Sequence, residues 1–238
     1  MQDHDGELDV LTRRELRSPR AAAIAGIVYS LLTFTAMILT HNTASVQPQE
    51  VTRENIDRWA GTFSLVLTLV PFAGIAFLWF TGVIRDRLRE REDRFFATIF
   101  FGSGIIYVLL LFLWGAILGT ILRLTSMEQF GEDVLFSNGV VTYALILMTE
   151  INGNFSLRMA GVYMSAVGTI WSRTELMPRW LILLTYLLAL GFLVAADRFR
   201  EARFIFPAWV LIISIYILIL NYRIADRHKK GQEVEKTG

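Results

Sequence analysis

Glu150 and Arg158 are the two residues whose types and spacing point most directly to chemistry. One closes an apolar run and the other opens the next, with Asn152-Gly153-Asn154 between them. That tripeptide predicts a tight turn. An antiparallel helix pair around it would bring carboxylate and guanidinium to one depth. Ionisable groups at membrane depth gate, bind ligands or neutralise one another. So close to the helix ends, mutual neutralisation or contact with a lipid phosphate is the plainer expectation. A second group is His41, at the end of the first apolar run, together with Asn138, Thr142 and Tyr143. These could line a polar path, with His41 as a proton acceptor. Hydroxyl and amide groups equally satisfy backbone carbonyls between helices. His41 has no carboxylate near it in sequence, which favours a cap at the interface.

Much other chemistry is excluded. The chain has no cysteine, so disulfides, thiolate nucleophiles and Cys-based metal centres are out. Its three histidines (His4, His41, His228) are dispersed and form no HExxH pattern. Phe101-Gly102-Ser103-Gly104 lacks the context of a nucleotide-binding loop, and Glu132-Asp133 reads as a solvated pair in a connection. No cofactor is expected. The arginine clusters sit beside apolar runs and lack the interleaved aromatics of a single-strand platform. They read as contacts to membrane lipids, and no nucleic-acid partner is expected.

The elements that must position these residues follow from composition. Hydrophobic residues make up 54% of 238 and charged residues 19%, against about 25% charged in a typical soluble domain. Mean hydropathy is +0.47. Uncharged runs of near-membrane length recur between short arginine-rich stretches, which specifies an all-α, polytopic integral membrane protein. Seven hydrophobic helices are expected, over 21–40, 59–84, 95–122, 134–151, 155–171, 180–196 and 204–222. Residues 1–20 form an N-terminal tail with a short interfacial helix that breaks at Pro19. Residues 21–223 form the membrane domain and 224–238 a basic polar tail. Thr52 is placed to cap a short helix from Arg53. Pro71, with Gly74 one turn later, predicts a bend in the second helix. Gly115-xxx-Gly119, and Gly161 with Ser165, mark close-packing faces that suit a homo- or hetero-oligomer.

Six or seven crossings are expected. The fifth segment is 17 residues, roughly 25 Å of helix, marginal for a core of ~30 Å. The positive-inside rule favours six crossings, with 152–179 retained inside. Residues 1–20 and 85–94 are cytoplasmic in either case, and the tail beyond 223 is cytoplasmic in the six-crossing arrangement. In general composition the chain resembles small multi-spanning proteins of bacterial inner membranes. The expected function is a non-enzymatic one, through assembly or partner binding. The alternative is a channel or transporter for an ion or small solute.

Overall fold

A computed structural model describes residues 2–41, 47–88, 94–127, 135–136, 139–174, 177–195 and 200–237, with side chains described only between Arg20 and Arg223. The α-helices are α1 (Gln2–His41), α2 (Arg53–Leu88), α3 (Arg94–Ser126), α4 (Val140–Glu150), α5 (Leu157–Thr174), α6 (Arg179–Ala195) and α7 (Ile205–Thr237). A six-residue π-helix, Ile151–Ser156, joins α4 to α5. A short 3₁₀ turn, Arg200–Phe204, leads into α7. The chain is an all-α, multi-spanning membrane protein.

The expectation of seven hydrophobic helices with six or seven crossings is corrected on two points. Among the described residues the helices form six rods, because Val140–Thr174 is helical throughout and the turn at Asn152–Asn154 does not form. Four helices are long and apolar enough to cross a membrane: Arg20–His41, Arg53–Arg85, Phe95–Ser126 and Glu201–Arg223. α6 has 17 residues, short of a ~30 Å core at 1.5 Å per residue. α5 has 18 residues but carries Arg158 and is rich in Gly, Ser and Thr.

The missing turn has a tertiary cause. Asn and Gly are poor helix formers, but Ile151, Ser156 and Leu157 are buried. Their packing keeps the chain helical, and the weak stretch relaxes to π geometry rather than reversing direction. α1 likewise runs through Pro19 without the expected break, and α2 continues through Pro71. Thr52 does cap α2: the Asn55 amide donates to Thr52 Oγ1 at 3.3 Å, and Asn55 Oδ1 accepts from the Thr52 amide at 3.0 Å. That is the reciprocal logic of a capping box, here opening a long helix rather than a short one.

The expected packing faces are used inside the molecule. A Cβ on Gly115 would meet Val70 Cγ1 at 3.4 Å, and one on Gly119 would meet Leu67 Cδ1 at 3.6 Å. A Cβ on Gly74 would run into the Phe112 ring. These three glycines seat α3 against α2. Gly161 lies where a Cβ would meet the Ala189 carbonyl at 3.0 Å, seating α5 against α6. Ser165 turns its hydroxyl back to the Gly161 carbonyl at 2.8 Å.

Two hydrophobic cores stack along the rods. The larger joins α1, α2, α3, α5, α6 and α7 around Tyr29, Phe77, Tyr163 and Phe206. The smaller joins α2, α3 and α4 around Phe63, Val66, Leu118 and Met148.

Candidate functional site

The larger core is an aromatic centre with hydroxyls set into it. Phe77 of α2 stands in the middle. Its ring centroid lies 4.9 Å from Tyr29, 5.2 Å from Tyr107, 5.2 Å from Tyr163 and 5.6 Å from Phe206. These rings come from α1, α3, α5 and α7, so one side chain touches four neighbouring helices. Phe100 closes on Tyr163 at 4.7 Å, and Phe206 stacks on Trp209 at 5.9 Å. Tilted and edge-on contacts at these separations add about 0.5–1.5 kcal/mol each beyond the area they bury.

The polar atoms in this centre bond to one another. Tyr29 Oη and Tyr107 Oη are 2.6 Å apart. Thr81 Oγ1 and Tyr163 Oη are 3.1 Å apart. Trp209 Nε1–H donates to Thr185 Oγ1 at 2.9 Å, and that hydroxyl donates to the Leu181 carbonyl at 2.8 Å. Ser30 Oγ lies within reach of two carbonyls, Gly26 of its own helix at 2.8 Å and Pro207 of α7 at 3.0 Å. Tyr29–Tyr107, Thr81–Tyr163, Trp209–Thr185 and Ser30–Pro207 each tie two different helices at a depth where an unpaired hydroxyl would be costly.

The sequence-predicted residues lie elsewhere. Glu150 and Arg158 sit on one helical rod about two turns apart, the first exposed and the second half-buried. Glu150 Oε2 accepts from Asn154 Nδ2 at 3.2 Å. The hairpin that would have stacked the two charges is not formed. With the residues eight positions apart, Glu150→Gln and Arg158→Gln are expected to act additively on thermal stability in one detergent. A coupling above about 0.5 kcal/mol would bring them back together.

The polar-path residues are not gathered into one lining. Thr142 Oγ1 donates to the Pro48 carbonyl at 3.3 Å, Tyr143 is 70% exposed and His41 is exposed at the end of α1. Asn138 lies outside the described residues, as do the acidic pair 132–133 and residues 89–93 of the arginine-rich connection. Among the described residues no group of three His, Cys, Asp or Glu is placed to hold a metal ion.

Sequence reasoning missed the aromatic centre. The available signal was the depth of three tyrosines, since Tyr29, Tyr107 and Tyr163 each fall well inside an apolar run. Tyrosine in membrane helices favours the headgroup level, and a deep one calls for a hydrogen-bond partner. The partner's identity lay on other helices and was not readable. No family model matches the chain, and no curated protein or solved structure shows significant similarity to it.

Proposed function

We propose that this protein is a non-enzymatic membrane component that acts through assembly with a partner, with its arginine-rich end in the cytoplasm. The observation that carries this reading is the aromatic centre. Rings from α1, α2, α3, α5 and α7 meet across the middle of the bundle, and their hydroxyls bond across helices, Tyr29 with Tyr107 and Tyr163 with Thr81. A bundle built that way favours a rigid scaffold over a path for solutes. Bare glycines supply outer positions for close approach by another helix: a Cβ on Gly61, Gly82 or Gly191 would meet nothing.

The orientation rests on charge. Segments 13–20, 85–94 and 223–230 carry more basic than acidic residues, whereas 41–58 and 123–133 carry more acidic ones. Basic loops face the cytoplasm. The chain lacks cysteine, so single substitutions report cleanly. In intact bacterial cells, an impermeant maleimide is expected to label Thr43→Cys and leave Leu88→Cys unlabelled until the cells are opened. The reverse pattern would invert the orientation.

Transport is the second reading, favoured by the π-helix. Such segments recur at functional sites, and here Asn154 Oδ1 and Ser156 Oγ are buried without a hydrogen-bond partner. Proteoliposomes separate the two readings. A scaffold is expected to show ion and solute leak equal to that of empty vesicles. Flux above that level, lowered by Ser156→Ala, would replace the scaffold reading with transport.

A further inference from the structure

The four apolar helices come in two lengths. Arg20–His41 has 22 residues and Glu201–Arg223 has 23, whereas Arg53–Arg85 has 33 and Phe95–Ser126 has 32. At 1.5 Å per residue the short pair measures about 34 Å and the long pair about 48 Å. The short pair suits a hydrocarbon core of ~30 Å. Tilt alone would fit the long pair into that core only at roughly 50°, outside the range of about 0–40° for membrane helices.

Contacts between helices locate the excess. Gly26 of α1 faces Phe80 of α2, and Tyr29 faces Phe77. A step outward on α1 is therefore a step back on α2, which puts Arg20 level with the end of α2 and His41 level with Leu65. Residues 53–64 continue beyond the end of α1, for about 18 Å. Gly115 and Gly119 of α3 lie against Val70 and Leu67, so the last turns of α3 accompany them. α7 does not reach that far: Phe204, just before its start, stacks on Phe34, two turns short of His41.

The exposed faces change character at the same level. On α2 beyond Leu65 they carry Glu54, Asp57, Arg58, Gly61 and Ser64, and below it Phe72, Ile75 and Trp79. On α3 they carry Thr120, Arg123 and Ser126 at the outer end, and Ile106, Leu109 and Leu113 further in. Arg58 and Glu54 pair at 2.8 Å with both side chains well exposed, an arrangement that belongs in water rather than among acyl chains.

We propose that acyl chains contact the bundle only up to the level of His41, Leu65 and Gly119, and that the outer turns of α2 and α3 stand in water as an extension of the bundle. The lipid-contact belt is then the face marked by Phe72, Ile75, Leu109 and Leu113. α4 stands beside the extension and exposes Val140, Tyr143, Ile146 and Leu147. A tilt of the bundle toward α4, of the ordinary size of about 20°, keeps that side against the bilayer while α2 and α3 face water. The placement is independent of the scaffold reading and of which side of the membrane the extension faces.

The test uses single cysteines in the full-length chain, reconstituted in lipid nanodiscs so that both membrane faces meet the reagent. A charged maleimide reacts with the thiolate, which forms in water and not among acyl chains. Gly61→Cys, Ser64→Cys and Thr120→Cys are expected to label at least about tenfold faster than Phe72→Cys, Leu109→Cys and Leu113→Cys. All six are expected to label alike once unfolded in SDS. Where a variant does not elute as the wild type does, a neighbour on the same face replaces it, Asp57→Cys for the outer α2 set and Ile75→Cys for the inner one. Slow labelling at Gly61, Ser64 and Thr120 would place the bilayer across the middle of the long helices and overturn the extension. Fast labelling at Phe72 and Leu109 would overturn the belt.

Discussion

Replacing Phe77 with alanine is expected to cost about 3–5 kcal/mol of stability, the range for removing a fully buried aromatic ring. The ring is 0% exposed and in contact with rings from four other helices. Its loss opens a cavity that cannot close by moving one neighbour. Collapse of α1 toward the gap would break the Tyr29–Tyr107 hydroxyl contact, and collapse of α5 would break Thr81–Tyr163. Lipid is as apolar as the core, so van der Waals packing, not escape from water, holds the rods together. A cavity removes that term directly. Phe72 on the same helix is 59% exposed and provides the comparison. Phe72→Ala is expected to shift stability by less than about 0.5 kcal/mol. Unfolding of both variants in mixed micelles checks the difference. Equal, small losses would mean that Phe77 does not stand at the centre.

The helical membrane class was readable because it depends on composition over long windows. The start of α2 and the edges of α6 were readable for local reasons. Thr52 and Asn55 cap one helix, and Pro178 precedes α6 and accepts its first amides, from Leu181 and Ile182. Properties that depend on partners far along the chain were not readable. Asn152-Gly153-Asn154 has turn chemistry, yet the burial of residues on either side holds it in a helix. Gly115 and Gly119 have the right spacing for a dimer face, but spacing alone does not say whose helix lies opposite. Here it is α2 of the same chain. The Glu150–Arg158 pairing depended on the turn and went with it. Arg85 and Arg173 were readable as interfacial cations, but the rings beneath them were not, because Phe96 and Phe101 belong to a different helix.

Gly26 is expected to be the least tolerant glycine in the bundle. A Cβ there would overlap Ser214 Oγ of α7 and approach Phe80 Cδ2 of α2 at 2.8 Å. Phe80 is fully buried and held by Phe77. Ser30 Oγ, one turn along, lies within hydrogen-bond reach of both the Gly26 and the Pro207 carbonyls. The helices therefore cannot part locally without breaking a buried contact. Overpacking typically costs about 1–3 kcal/mol, and Gly26→Ala is expected at the upper end of that range, Gly26→Val beyond it. Gly82 is also helical, but a Cβ there meets nothing. Gly82→Ala should gain up to about 1 kcal/mol from helix propensity alone, so one chemical change has opposite signs at two sites. Ser214 Oγ is buried without a hydrogen-bond partner, so Ser214→Gly removes an obstruction and no bond. In the Gly26→Ala background it should restore part of the loss but not all, because the Phe80 contact remains. The four-member cycle, read by unfolding in one detergent, should therefore be non-additive. Additive effects would mean that α1 and α7 do not meet at this point, and would overturn the arrangement of rods around the aromatic centre.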